Sequence, residues 1–393
     1  MNPIGELNPT QRILMGPGPS DVHPRVLRAM SAPCTGHLDP EFIGMMNDVQ
    51  ELLRYVFQTS NKLTIPISAT GSAGMEACMV NVLEPGDHVV VGVNGVFGMR
   101  MSDIAERIGC DVTPIEVEWG RIIEPEQVQE AVNARATKLV GVVHAETSTG
   151  AHQPLEAISK ITRDAGALFM VDMVTSLCGV EVRVDDWDID LVYSGTQKCM
   201  SCPPGLSPVS FSERALETLR NRKTKVQSWY LDMTMIEKYW TDGDRAYHHT
   251  APINMNYAIR EALRIVQEEG LESRWARHQK NHEALAAGLS AIGIELSAQE
   301  GHRLPMLNAV KIPEGVDDAK VRSALLKEFS IEIGGGLGAG KGKLWRIGLM
   351  GESSCRHHVL YLLTALETLL AAEGVSLTKG AGVAAASEIY GAA

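Results

Sequence analysis

"LTIPISATGSAGMEACMVNVLEPGDHVVVGV", Leu63 to Val93, decides the fold. Its ends, "LTIPIS" (63–68) and "HVVVGV" (88–93), are short apolar runs rich in β-branched residues, the pattern of buried strands. Between them "SAGMEACMVNVL" (72–83) is built from helix formers. A strand, a helix and a second strand in so few residues form a crossover unit, the connection between parallel strands of one sheet. The alternation continues downstream. "KLVGVVHAE" (138–146), "ALFMVDMV" (167–174), "IDLVYSG" (189–195) and "GLSPVSFS" (205–212) read as further strands, with a helix predicted over 154–164. Strands apolar along their whole length are buried on both faces, so a mostly parallel sheet covered by helices on both sides is expected, an α/β fold.

Upstream, a helix is predicted from Asp39, which can cap it, with Pro40 in its first turn. Phe42, Met45, Met46, Val49, Leu52, Leu53 and Val56 follow at helical spacing. "MGPGPS" (15–20) is too rich in Pro and Gly for regular structure and reads as an extended arm. From Ala251 the pattern turns helical, with Gly270 as an interruption. After about residue 275 it becomes α+β, with strands near "LNAVKIP" and "LWRIGLM". The expected organisation is an N-terminal arm (1–20), a large domain (21–274) and a smaller α+β domain (275–393). The last stretch, "KGAGVAAASEIYGAA", reads as low complexity with an Ile389–Tyr390 pair able to dock.

Composition narrows the function classes. Of 393 residues, 45% are hydrophobic and 21% charged, which places the chain among folded globular proteins. A formal net charge of −12 argues against nucleic acid or an anionic membrane as partner. No run approaches about 18 apolar residues, the length of a membrane-spanning helix. The first residues lack a basic segment followed by an apolar one, and "YGAA" is no peroxisomal signal, so a cytoplasmic location is expected. Seven cysteines, an odd number, read as reduced thiols. Cys199 and Cys202 form a lone C-x-x-C, which reads as two buried fillers. His248–His249 and His357–His358 lack Cys or carboxylate companions at ligand spacing, so no metal site is expected.

In such sheets ligands sit beyond the carboxyl ends of the strands. After the first strand come Thr70, Gly71 and Ser72, opening a helix whose free N–H groups and dipole suit a phosphate. An ordinary helix cap would account for them alone. Phe97 in "NGVFG" follows the next strand, where core packing is its plain reading. "HAETSTG" offers the Thr147 hydroxyl. Asp172 ends "FMVD", and a carboxylate closing such a run needs a partner. Lys198 ends "VYSGTQK", among small or uncharged neighbours. Asp172 and Lys198 lie one crossover unit apart, which brings their strand ends together. A salt bridge would explain those two groups, but not the phosphate cradle and the aromatic face. Pyridoxal 5′-phosphate (PLP) uses all four: phosphate, planar ring, ring nitrogen and an aldehyde that condenses with a lysine. Burial would favour the neutral, nucleophilic amine of Lys198.

"GPGPS", "HAETSTG", "VDMVTSLCGV", "SGTQKC…PPG", "YHHTAP", "GGGLG" and "WRIGLMG" together resemble the fold-type I, class V aminotransferases, within them the alanine–glyoxylate (serine–pyruvate) group. The likeness runs from "LMGPGPS" to "LETLL". It implies that Lys198 is the Schiff-base lysine and acid–base group, and Asp172 the partner of the pyridinium nitrogen. It implies cofactor contacts for Thr70, Gly71, Ser72, Phe97, Thr147, Val174 and Gln197, with Tyr247 and Thr250 reaching the phosphate from the second subunit of a homodimer. Arg346 matches the arginine that forks onto the substrate carboxylate, and Gly18 and His37 join it on the substrate side. Phe97 departs from a frequent Trp and Ser72 from a His of some relatives. The implied activity is transfer of an amino group from a small amino acid, L-alanine first, to a small 2-oxo acid, glyoxylate first. Serine and ureidoglycine are alternative donors. Relatives acting on ureidoglycine resemble this chain in the "DP.F" motif and the C-terminal tail, but carry Gln at the position of His37. Two other classes stay open: a nicotinamide dehydrogenase resting on "GGGLGA" (334–339), and a PLP-binding protein without catalysis.

Overall fold

The structure is a computed structural model that describes residues 4–241 and 245–391. Residues 1–3 of the expected arm and 392–393 of the tail lie outside the described residues. Its centre is a seven-stranded sheet. In chain order the strands are β1 (Leu63–Ile67), β2 (His88–Val93), β3 (Asp111–Glu116), β4 (Leu139–Val143), β5 (Leu168–Asp172), β6 (Leu191–Tyr193) and β7 (Ser207–Phe211). Across the sheet they run β1-β7-β6-β5-β4-β2-β3. The pairs β2–β3, β2–β4, β4–β5 and β5–β6 are parallel, while β7 runs antiparallel to both β1 and β6.

Alternation along the strands builds two cores. Val89, Val91 and Val93 point to one face, with Met75, Ala77, Met79, Met101 and Ala105 from α2 (Gly71–Val82) and α3 (Val96–Ile108). Val90, Val140, Val142, Phe169 and Val171 point to the other. There they meet α1 (Pro40–Phe57), α4 (Pro125–Ala134), α5 (Glu156–Asp164) and α6 (Ile253–Glu269). Helices thus cover both faces, as the apolar strands require. The α1 start follows the sequence reading: the Asp39 side chain accepts from the Glu41 amide and Pro40 is the first helical residue. Gly270, at φ 82°, ends α6 and starts α7 (Leu271–Ala291).

A third core joins α7 to a three-stranded sheet of β8 (Leu307–Lys311), β9 (Gly334–Gly335) and β10 (Leu344–Gly348), ordered β8-β10-β9. The chain before the large sheet reaches it: Ile13–Leu14 pairs in parallel with Ile331–Glu332. Helix α8 (Arg356–Ala372) covers this unit. The tail differs from its low-complexity reading. It forms α9 (Ala381–Gly391) against α7, because small residues let the backbones approach: a Cβ on Gly288 would lie 2.8 Å from the Gly382 oxygen. Ile389 and Tyr390 do dock, with Tyr390 donating to Asn281 Oδ1 at 2.6 Å. "GGGLGA" supplies the edge strand β9 and a short 3-10 turn at Gly338–Gly340, so it opens no α-helix and lacks the frame of a dinucleotide fingerprint. Cys199 and Cys202 are buried free thiols. Among the described residues no helix is long and apolar enough to cross a membrane.

Candidate active site

The carboxyl ends of β1, β2, β5 and β6 converge on a cavity of about 300 Å3. Thr70, Gly71 and Ser72 line it from the start of α2, Phe97 from α3, Asp172 and Val174 from the end of β5, and Gln197 and Lys198 from the segment after β6. Eight residues far apart in sequence and singled out for one ligand therefore share one cavity.

Each wall has a chemical character. Thr70 caps α2 without a side-chain bond, and while the Ala73 amide donates to the Thr70 carbonyl at 2.8 Å, the Gly71 and Ser72 amides keep their donors for a ligand. The backbone comes close here because residue 71 is Gly: a Cβ would lie 3.2 Å from Val174 Cγ2. Gln197 Oε1 is buried with no hydrogen-bond partner, an unmet polar atom at the cavity wall.

The buried Asp172 carboxylate accepts from the Val174 amide at 2.8 Å and the Tyr193 hydroxyl at 2.5 Å. Burial still outweighs these bonds and pushes its pKa up to about 6. It is an anion short of a cation. Lys198 is the converse. Its side chain is buried, its Nζ donates to the Pro17 carbonyl, and its pKa is held down to about 8, first by burial and then by the Arg346 charge. Gly18 passes close to this side chain without crowding it. At φ 107° it occupies a region side chains rarely adopt, and a Cβ would lie 2.8 Å from Lys198 Cδ.

Thr147 and Arg346 lie beside the cavity, not in its lining. Thr147 Oγ1 is 2.7 Å from Thr175 Oγ1. The buried Arg346, on β10, donates through Nε to the Gly335 carbonyl at 2.8 Å and through Nη1 to the Thr147 carbonyl at 3.4 Å. Two carbonyls thus aim the guanidinium, and Nη2 has no partner among the described residues.

Tyr247, Thr250 and His37 are not brought to this cavity. Tyr247 is 59% exposed, its hydroxyl 3.4 Å from Thr250 Oγ1 and its ring 5.0 Å from that of His37. They form a separate cluster near Ser68, which His249 meets at 2.7 Å, and Trp229 and Tyr230 add further exposed aromatic surface.

Three groups escaped the sequence reading. Tyr193 faces Asp172 because the two are register partners in β5–β6, a pairing that adjacent strand ends could have suggested. Arg100 stands one helical turn after Phe97, the spacing that lets side chains on a helix meet. Its guanidinium lies 4.8 Å from the Phe97 ring centre and donates to Ser72 Oγ at 3.0 Å. Glu146, inside "HAETSTG", is buried and accepts from the Phe97 amide at 3.1 Å and the Ser148 hydroxyl at 2.6 Å. Burial raises its pKa.

The profile of the family "Aminotransferase class-V" matches residues 14–358. The chain is a class V aminotransferase. It is 41% identical over 403 residues to the (S)-ureidoglycine–glyoxylate transaminase of Bacillus subtilis, covering 98% of this chain and 97% of that one. It is 40% identical to the alanine–glyoxylate aminotransferase of Felis catus, covering 91% and 87%. Among solved structures, the alanine–glyoxylate aminotransferase of Nostoc sp. is similar at a TM-score of 0.92 and 50% identity, covering 94% of this chain and 97% of that one. Class V aminotransferases of this fold are generally PLP-dependent.

Proposed function

We propose that this aminotransferase uses PLP to move the amino group of L-alanine to glyoxylate. The observation that carries the reading is the single cavity holding a helix start without side-chain cap, an aromatic ring, a buried carboxylate and a lysine whose pKa is held down to about 8. Each feature fits one part of PLP. When bound, PLP supplies the electron sink that makes the amino acid Cα–H acidic.

This chain's residues do the rest. The first-turn amides of α2 with Gly71, Ser72 and the Gln197 amide would hold the phosphate, and Phe97 would pack on the ring. Asp172, kept in place by Tyr193 and Val174, would hold the proton on the ring nitrogen. That bond would lower the carboxyl pKa, reversing the effect of burial. Thr147 positions the ring hydroxyl side. Lys198 Nζ would hold the cofactor through its aldehyde and, once displaced by the substrate amine, would take the proton from the substrate Cα as the acid–base group of the site. Arg346 takes the substrate carboxylate as a fork, a task for which its two carbonyl contacts preset the plane. Gly18 leaves room for the amine, and Tyr247, Thr250 and His37 complete the site from a second copy in a homodimer. The amine changes hands in two half-reactions, so kinetics are ping-pong.

A second donor, ureidoglycine, is favoured by one observation. The Bacillus subtilis ureidoglycine–glyoxylate aminotransferase structure matches at a TM-score of 0.96 over 98% of this chain and all of its own. A donor panel of alanine, serine and ureidoglycine against glyoxylate and pyruvate decides. Alanine with glyoxylate should give the highest kcat/KM; a higher value for ureidoglycine would overturn the choice of donor.

A further inference from the structure

Sequence spacing left His357 and His358 without companions, but the fold supplies one. Cys355 Sγ and one nitrogen from each imidazole lie within 4.8 Å of one another, the one such His/Cys/acid group among the described residues. We infer that Cys355, His357 and His358 form a binding site for a borderline-soft divalent cation of the Zn2+ type. It is separate from the cofactor cavity and plays no part in the proposed transamination.

The geometry supports more than proximity. Cys355 Sγ is 3.5 Å from His357 Nε2. A cation bound at about 2.3 Å from sulfur and about 2.05 Å from nitrogen with a tetrahedral angle separates those atoms by about 3.5 Å. The other pairs lie within 4.8 Å and would shorten on binding by rotation of the exposed His357 ring. The Ser353 carbonyl is 3.1 Å from His358 Nδ1. A carbonyl only accepts, so Nδ1 carries the hydrogen and Nε2 keeps the lone pair for a metal. Metal-binding histidines usually have such an outer partner. The Asp21 carboxylate, 3.9 Å from the same nitrogen, adds negative charge behind the ring. The nearby cations are engaged: Arg277 with Glu269 and the Gly351 and Ser354 carbonyls, and Arg356 over the Tyr390 ring. Thiolate with two imidazoles selects Zn2+ over the oxygen-seeking Mg2+ and Ca2+, and three protein ligands leave a fourth position to water.

The test uses tag-free, chelator-washed, full-length holoenzyme. Zn2+ and Mg2+ are titrated by calorimetry, and Co2+ is followed by difference absorption against the holoenzyme. One equivalent of Zn2+ per chain should bind, Mg2+ should not, and Co2+ should show four-coordinate visible bands with thiolate charge transfer. Cys355→Ser should remove the charge-transfer band, and both it and His357→Gln should weaken Zn2+ binding at least about 100-fold. Cys34→Ser, at an exposed free cysteine, should change nothing. Each variant must keep the cofactor band and far-UV spectrum; if one does not, His358→Gln replaces it. No saturable Zn2+ binding, Zn2+ binding unaltered by Cys355→Ser and His357→Gln, or loss of binding with Cys34→Ser would each overturn the site.

Discussion

The proton equilibrium of Lys198 is where burial becomes reactivity. Its pKa of about 8, against an ordinary 10.5, means that the folded protein disfavours the ammonium by about 3 kcal/mol. At pH 7 about one amine in ten is then neutral, against about one in three thousand for an unperturbed lysine, a gain of roughly 300-fold in nucleophile. Because the folded chain releases this proton first, the unfolded chain binds more protons between pH 8 and 10.5. This group therefore makes stability rise with pH across that window. The assay is competitive acylation of the cofactor-free protein from pH 6 to 11, read peptide by peptide by mass spectrometry. Labelling of Lys198 should climb about tenfold per pH unit and level off near 8, while surface lysines climb to above 10. Arg346→Gln should move the Lys198 midpoint upward, since the Arg346 charge is the second cause of its depression. A Lys198 midpoint with the surface lysines, or one untouched by Arg346→Gln, would refute the reasoning.

Arg346→Ala should lower kcat/KM for alanine and glyoxylate about 30- to 3000-fold, the range for losing a desolvated forked ion pair of roughly 2–5 kcal/mol. Arg346→Lys should lose much of this as well, and steady-state kinetics beside an unchanged cofactor spectrum check both. Mixing Lys198→Ala chains with Tyr247→Ala, Thr250→Ala chains should restore activity through hybrid dimers with one intact site, measured after verified subunit exchange. Tyr193→Phe removes a 2.5 Å donor to Asp172 and should raise the carboxyl pKa further, weakening PLP retention measurably by equilibrium dialysis.

Six of the seven strands of the large sheet were legible because they are apolar along their length; β3, "DVTPIE", was missed because it is an edge strand, mostly open to solvent, without that pattern. The same logic places Asp172 and Lys198 just after neighbouring strands from the sequence pattern alone. What stayed hidden depends on pairing across distance. Tyr193 became a partner of Asp172 through strand register, and Arg100 reached Ser72 across 28 positions. The Ala- and Gly-rich tail was misread because small residues lack an apolar stripe, and its helix is specified by how closely it can approach Gly288. His37, Tyr247 and Thr250 gather with one another but outside the cavity of their own chain. The resemblance had placed Tyr247 and Thr250 across a dimer, a relation that one chain's sequence pattern cannot encode.

The central claim is tested most directly by the absorption of the purified protein through one cycle of half-reactions. The band of the lysine-bound cofactor should bleach on adding L-alanine, with one pyruvate formed per chain, and return on adding glyoxylate, with one glycine formed. A protein whose band stays unchanged with alanine, or bleaches and does not return with glyoxylate, would contradict the account.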